Sequence, residues 1–215
     1  KGEISENRLA ESVKKILRTK YLLGLQNLKS INSENINEDL NNASHAELSE
    51  KLYSNAITLL KDEKNLLPLS CSETYYYLPL EEAPFQTFVE NLNLGTTVKL
   101  ISKNEIAQIP ENSTVIVGFH KDNSTAYKSY KISQESKDIL AELSKKQNVI
   151  LDVFGSPYAL KDVDISKIST VLVSYENNDL SLKASAKAIL GKTKISGKLP
   201  VIVNENLKAG SGIEK

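Results

Sequence analysis

The chain has 215 residues, with 27 Lys and Arg against 27 Asp and Glu, two His, one Cys and neither Trp nor Met. About 40% apolar and 25% charged residues are ordinary globular values, which excludes a disordered tail or a fibrous chain. Balanced charge without a basic stripe gives no basis for binding nucleic acid or an anionic membrane surface, and no apolar run reaches the ~18 residues of a spanning helix. Cys71 stands alone, so it can form neither an internal disulfide nor a thiolate metal site. A translated chain begins with Met, whereas this one opens on Lys1 in a helix-like segment, so it reads as a piece of a longer protein.

Residues 5–25 carry Leu9, Val13, Ile16, Leu17 and Leu23 at spacings of three and four, which predicts an amphipathic helix with Ser5 as N-cap and Gly24 as stop. Asn27 to Asn42 is rich in Asn, Ser, Glu and Asp and reads as a linker. Ser44 and Glu47 then form a capping box, with Ala43 and Leu48 at the staple positions. The helix they open carries Leu48, Leu52, Ala56, Leu59 and Leu60 on one side until Asp62–Asn65 stops it.

From there short apolar runs alternate with helix-like segments. Strands are predicted at Tyr75–Leu78, Val98–Ile101, Thr114–Gly118, Val149–Phe154 and Val171–Tyr175, with a weaker one at Leu199–Val203. Helices are predicted at Phe85–Leu94, Ser133–Lys146 and Leu180–Leu190, the last capped by Asn178 or Asp179 and ended by Gly191. Pro157 after Ser156 marks the start of a short helical turn. This alternation predicts an α/β fold: a three-layer α/β/α sandwich around a mostly parallel sheet of five or six strands.

Gly191–Lys192–Thr193 has the end of a phosphate loop, but position 186 is Ala where that motif needs Gly, and the segment follows a helix instead of opening one. No Gly-x-Gly-x-x-Gly occurs, so no nucleotide cofactor is expected, and no metal site is expected either. Gly155–Ser156–Pro157 follows a strand, yet Pro157 lacks the amide an oxyanion hole would use, so Ser156 is read as a helix cap. His45 beside a helix start is read as a surface residue, and Tyr75–Tyr76–Tyr77 as strand packing. Sequons at Asn42, Asn112 and Asn123 matter only on a eukaryotic secretory route. His120 and Asp122 stand out, because they lie just past a strand, at the carboxyl end where open α/β sheets gather ligand-facing loops. With Asn123 and Ser124 they make a short polar loop able to meet a sugar or a partner domain.

Three stretches together resemble the second half of a glycoside hydrolase family 3 enzyme. Ile4–Arg8 with Ser12–Lys20 and Leu23–Leu25 is similar to the last helix of that family's barrel domain. Ala56–Leu69 resembles the segment entering its second domain, and Ile195–Val201 resembles the Ser-Gly-Lys-Leu-Pro signature near that domain's end. The resemblance spans essentially the whole chain. It implies residues 1–28 as the terminal helix of a preceding (β/α) barrel, 29–43 as linker and 44–215 as the α/β sandwich. It further implies a retaining enzyme acting on non-reducing-end β-linked sugars, with its Asp nucleophile on the barrel and no catalytic residue in this chain.

In the family's β-glucosidase branch a Glu of the second domain, after the strand resembling Thr114–Gly118, is the acid/base. Phe119–Tyr127 has no Glu there, which is similar instead to the β-N-acetylglucosaminidase branch, whose second domain is accessory. His120 and Asp122 are carried as cleft-facing candidates. The partners implied are the chain's own barrel and a carbohydrate, in an exported bacterial enzyme. The competing expectation is a stand-alone α/β module that binds a small ligand or a protein.

Overall fold

Ser5 caps the first helix as predicted: its side chain accepts the Arg8 amide, and helix α1 runs Glu6–Leu22. Gly24 follows with φ 71°, the left-handed conformation that glycine adopts without a steric cost. The computed structural model describes residues 2–30, 32–122, 124–125 and 127–215, so the sequon at Asn123 lies outside the described residues. The chain divides into two compact units, the first ending at Ala43 and the second running Ser44–Lys215. In the first unit no residue of α1 is buried, and the segment expected as plain linker holds a short helix, α2 (Ile36–Leu40).

Helix α3 (Ala43–Ala56) departs from its prediction at both ends. It begins one residue ahead of Ser44, which therefore sits in the first turn and not at the N-cap. It stops at Ala56, and Thr58–Asp62 forms strand β1 where the helix was expected to continue. Leu59 and Leu60 keep the spacing of a helical stripe, but here they point to opposite sides of a strand buried on both faces. The β-branched pair Ile57–Thr58 favours the extended form, and the Thr58 hydroxyl bonds to the Ala56 carbonyl at 2.9 Å and the Tyr175 hydroxyl at 2.7 Å.

The rest follows the predicted alternation: β2 (Thr74–Leu80), α4 (Gln86–Leu92), β3 (Thr97–Leu100), β4 (Thr114–His120), α5 (Gln134–Lys146), β5 (Asn148–Phe154), β6 (Thr170–Val173) and α6 (Asp179–Ile189). Ser133 caps α5 through the Ser136 amide, Asn178 caps α6 through the Ser181 amide, and Gly191 ends α6 at φ 70°. Ser156 caps a 3-10 turn, Pro157–Asp162. The six strands run in the order β1-β6-β5-β4-β2-β3, parallel except for β1 against β6. The expected three-layer sandwich is thus the fold. One face of the sheet packs Val115, Val117 and Leu151 against Leu140 and Leu143 of α5; the other packs Ile116, Ile150 and Phe154 against Phe88 of α4 and Leu182 and Ile189 of α6. Tyr75 and Tyr77 enter the second core and Tyr76 packs on the first, as a period of two requires.

The weak strand expected at Leu199–Val203 does not form. Pro200 has no amide to give a ladder, and the segment instead folds back, Leu199 and Ser211 pairing at 2.8 Å while Leu199, Val203 and Leu207 cover one core. Gly197 lies against the chain entering β1: its amide donates to the Ile57 carbonyl at 3.2 Å, and a Cβ there would overlap the carbonyls of Ala56 and Ile57.

Candidate functional site at the switch of strand order

From β2 the chain moves outward to β3, then returns past β2 to β4 and continues to β5 and β6 on the other side. The strand order therefore reverses between β2 and β4, and in such sheets the crevice at the carboxyl ends is where ligands sit. A cleft of about 530 Å³ lies there. Its walls come from three loops: Ala83 and Pro84 after β2, Asp122 and Ser124 after β4, and Glu176–Asn178 after β6.

His120 closes β4 but does not enter the opening. It is 0% exposed, its imidazole stacked on Phe154 at 4.7 Å and 7° and surrounded by Phe85 and Phe88. Burial lowers its pKa to about 4, against a weaker raising effect of its Asn177 bond, so the ring is neutral at pH 7. The Asn177 amide nitrogen donates to the Pro84 carbonyl at 2.7 Å, which turns its oxygen toward His120 Nδ1 at 2.6 Å. The ring proton therefore sits on Nδ1, and Nε2 accepts from the Tyr77 hydroxyl. Gly118 makes this possible, since a Cβ there would overlap both His120 Nε2 and the Tyr77 oxygen. The expectation that His120 faces the cleft is corrected to this: it stands behind the wall and holds it.

Asp122 does border the cleft. Its Oδ1 accepts the Ser124 amide at 2.9 Å and its Oδ2 pairs with Lys128, whose hydrogen bond keeps the carboxyl well below the usual carboxylate range. It is an ionised acceptor, not a proton donor.

Three further groups were not singled out from the sequence. Glu81, at φ 73°, accepts the Ser133 amide and hydroxyl at 3.0 and 2.9 Å and pairs with buried Lys121 at 3.0 Å; Lys121 also reaches Glu82 at 2.9 Å. Burial pushes the Glu81 carboxyl up, but bonds from Ser136, Ser133 and Lys121 outweigh it and leave it lowered. Burial likewise lowers Lys121, and its two carboxylates outweigh that and raise it, so the ammonium stays charged. Glu176 accepts from the Tyr53 hydroxyl at 2.5 Å and from Asn178 at 2.6 Å. The signal that locates all of these is position alone: each lies within three residues of the carboxyl end of β2, β4 or β6, a relation that strand order makes visible.

Among the described residues no group of three or more His, Cys, Asp or Glu is placed to hold a metal ion, and no helix is long and apolar enough to cross a membrane. Asp152, whose burial raises its pKa to about 6, is fully enclosed and bonded to the hydroxyls of Ser174 (2.8 Å) and Ser185, so it offers the cleft no acid. What the cleft presents is a rim of amide, hydroxyl and carboxylate groups.

Fold and cleft define a three-layer α/β/α domain with its cleft-lining loops at a switch of strand order. No family model matches the chain. Among curated proteins it is 26% identical over 213 residues to beta-glucosidase C of Emericella nidulans, covering 97% of this chain and 33% of that protein. It is 28% identical over 181 residues to the lysosomal beta glucosidase of Dictyostelium discoideum, covering 78% of this chain and 22% of that one. The chain thus spans about a third or less of the curated relatives it matches. Among solved structures it is similar to a beta-glucoside phosphorylase bound to 2FGlc, with TM-score 0.68, 22% identity and coverage of 93% and 39%. A glycoside hydrolase family 3 beta-N-acetylglucosaminidase from Paenibacillus has TM-score 0.61, 20% identity and coverage of 94% and 41%. The chain is thus similar along most of its length to part of these curated beta-glucosidases, and it shares the fold of a domain in the solved family 3 beta-N-acetylglucosaminidase.

Proposed function

We propose that this chain is the accessory domain of a retaining family 3 glycoside hydrolase, its cleft loops forming one edge of the substrate site while a barrel domain supplies the nucleophile. One observation carries the reading: the acid in the loop after β4, Asp122, is held ionised by Lys128. A general acid must hold a proton near neutral pH, so Asp122 does not serve as the proton donor for glycosidic cleavage, and the reading takes that donor from the barrel. That requirement favours a β-N-acetylglucosaminide substrate over a β-glucoside, because the resemblance assigns a second-domain Glu to the glucosidase branch and this loop has none.

The test compares the isolated chain with the chain joined to its upstream barrel, on aryl β-N-acetylglucosaminide and aryl β-glucoside. No turnover by the isolated chain and faster turnover of the N-acetylglucosaminide by the joined protein are expected. Hydrolysis by the isolated chain would sink the accessory role. A preference for the glucoside would sink the choice of branch.

A further inference from the structure

We propose that His120 is a positioning residue for the cleft: as an Nδ1–H donor it fixes Asn177, and through Asn177 it clasps the loop after β6 to the loop after β2. Only the ligand arm of the test below rests on the functional reading above.

Each residue of the wall Glu176–Asn178 is anchored. Tyr53 of α3 holds both Glu176 and the Asn178 amide nitrogen, and Asn178 also caps α6. Asn177 is the one of the three tied to the β2 loop, through Pro84, and to β4, through His120. An Asn side chain on a cleft surface would ordinarily sample several rotamers, and here both ends of its amide are committed. The commitment is enforced from inside. Tyr77 donates to Nε2, so the imidazole has one proton left and must present it at Nδ1. Phe85, Phe88 and Phe154 surround the ring, excluding water that would compete for either nitrogen, and a hydrogen bond in such surroundings is stronger than one in solvent. Gly118 leaves the space in which Tyr77 and His120 meet. The chain Tyr77–His120–Asn177–Pro84 thus runs from the sheet core to the cleft rim and joins the loops after β2 and β6 to the end of β4.

The test uses the ¹⁵N-labelled chain. Ring nitrogen shifts at pH 7 should report a neutral Nδ1–H imidazole; an Nε2–H ring or an imidazolium overturns the clamp. Backbone order parameters at residues 176–178 should fall from a rigid value of about 0.85 to below about 0.6 in His120→Phe. His120→Asn, which can place an amide donor near the Nδ1 position, should restore most of the loss, whereas a mere filler of the core would favour Phe. Unchanged order in His120→Phe overturns the proposal. Should that variant not fold, Asn177→Leu cuts the same link from the surface and should loosen the same residues; unchanged order there also overturns it. With N-acetylglucosamine as probe, shifts at Asp122, Ser124 and Asn178 should saturate at about tenfold higher concentration in His120→Phe than in the wild type. Loosened loops with unaltered sugar affinity would overturn the positioning role. If the wild type shows no sugar shifts while the loop responds as expected, the functional reading fails and the clamp stands.

Discussion

Asp152 on β5 and His120 on β4 face the same side of the sheet, both are 0% exposed, and burial moves them in opposite senses, the carboxyl up to about 6 and the imidazole down to about 4. Each is driven toward its uncharged form because solvation is lost on both. The consequences for stability have opposite signs. Asp152 has a folded pKa above its unfolded value of about 3.9, so its contribution is complete below that pH and is lost as pH rises through about 6. His120 has a folded pKa below its unfolded value of about 6.5, so its contribution is complete above that pH and is lost as pH falls through about 4. Across the shared interval the two slopes oppose, each worth about 3 kcal/mol at about 1.4 kcal/mol per pKa unit.

Removing either group should uncover the other. Asp152→Asn is expected to make stability climb more steeply between pH 4 and 6.5, and His120→Asn to make it fall over the same range, relative to the wild type. Urea midpoints at a series of pH values read this directly. Parallel curves for all three proteins would show that neither group titrates with the shift assigned to it.

Gly118→Ala should destabilise the chain by about 2 kcal/mol, in the range for overpacking a filled core. The added carbon has nowhere to go, since His120 and Tyr77 already occupy its place. Thermal unfolding gives the magnitude, and a melting temperature equal to wild type would mean that the two rings have room to part.

Lys121→Met should cost about 3 kcal/mol, because it strands the Glu81 carboxylate, whose side chain is 5% exposed, without its cation. Glu82 is half-exposed, so Glu82→Gln should cost less than about 1 kcal/mol. Combining Lys121→Met with Glu81→Gln should recover part of the loss. A strictly additive double variant in chemical denaturation would rule out coupling between the two.

Gly197→Ala should also cost about 2 kcal/mol, because the added Cβ would overlap the carbonyls of Ala56 and Ile57. The damage should be local to the β1 edge: amide exchange should quicken at Thr58–Asp62 before β4 and β5 respond. Uniform exchange throughout the second unit would argue against a local effect.

Much of the fold was legible in the sequence because its signals are local. Ser5, Ser133, Asn178 and Gly191 mark helix ends through their own side chains or backbone preference, and the Val- and Ile-rich runs at residues 115–117 and 149–151 can be buried in few other ways. The errors fell where local signals were ambiguous. Leu59 and Leu60 fit a helical stripe and a strand buried on both faces equally well, and only pairing with β6 decides between them. Leu199–Val203 has strand composition, yet Pro200 denies it a ladder and its apolar residues serve as a cover for the core. His120 and Asp122 were found by position at a strand end, but that position says nothing of which way a side chain turns, and the two turn differently.

Composition, spacing and caps determined that this chain builds a layered α/β domain, and its three family-like stretches determined which enzymes it resembles. Those properties are written over a few neighbouring residues, where helix and strand periodicity act. Strand order, the switch between β2 and β4, and the line from Tyr77 through His120 to Asn177 were decided only in the folded chain. They join residues 43 and 57 positions apart, and such contacts are set by how whole faces pack and by the solvent that packing excludes.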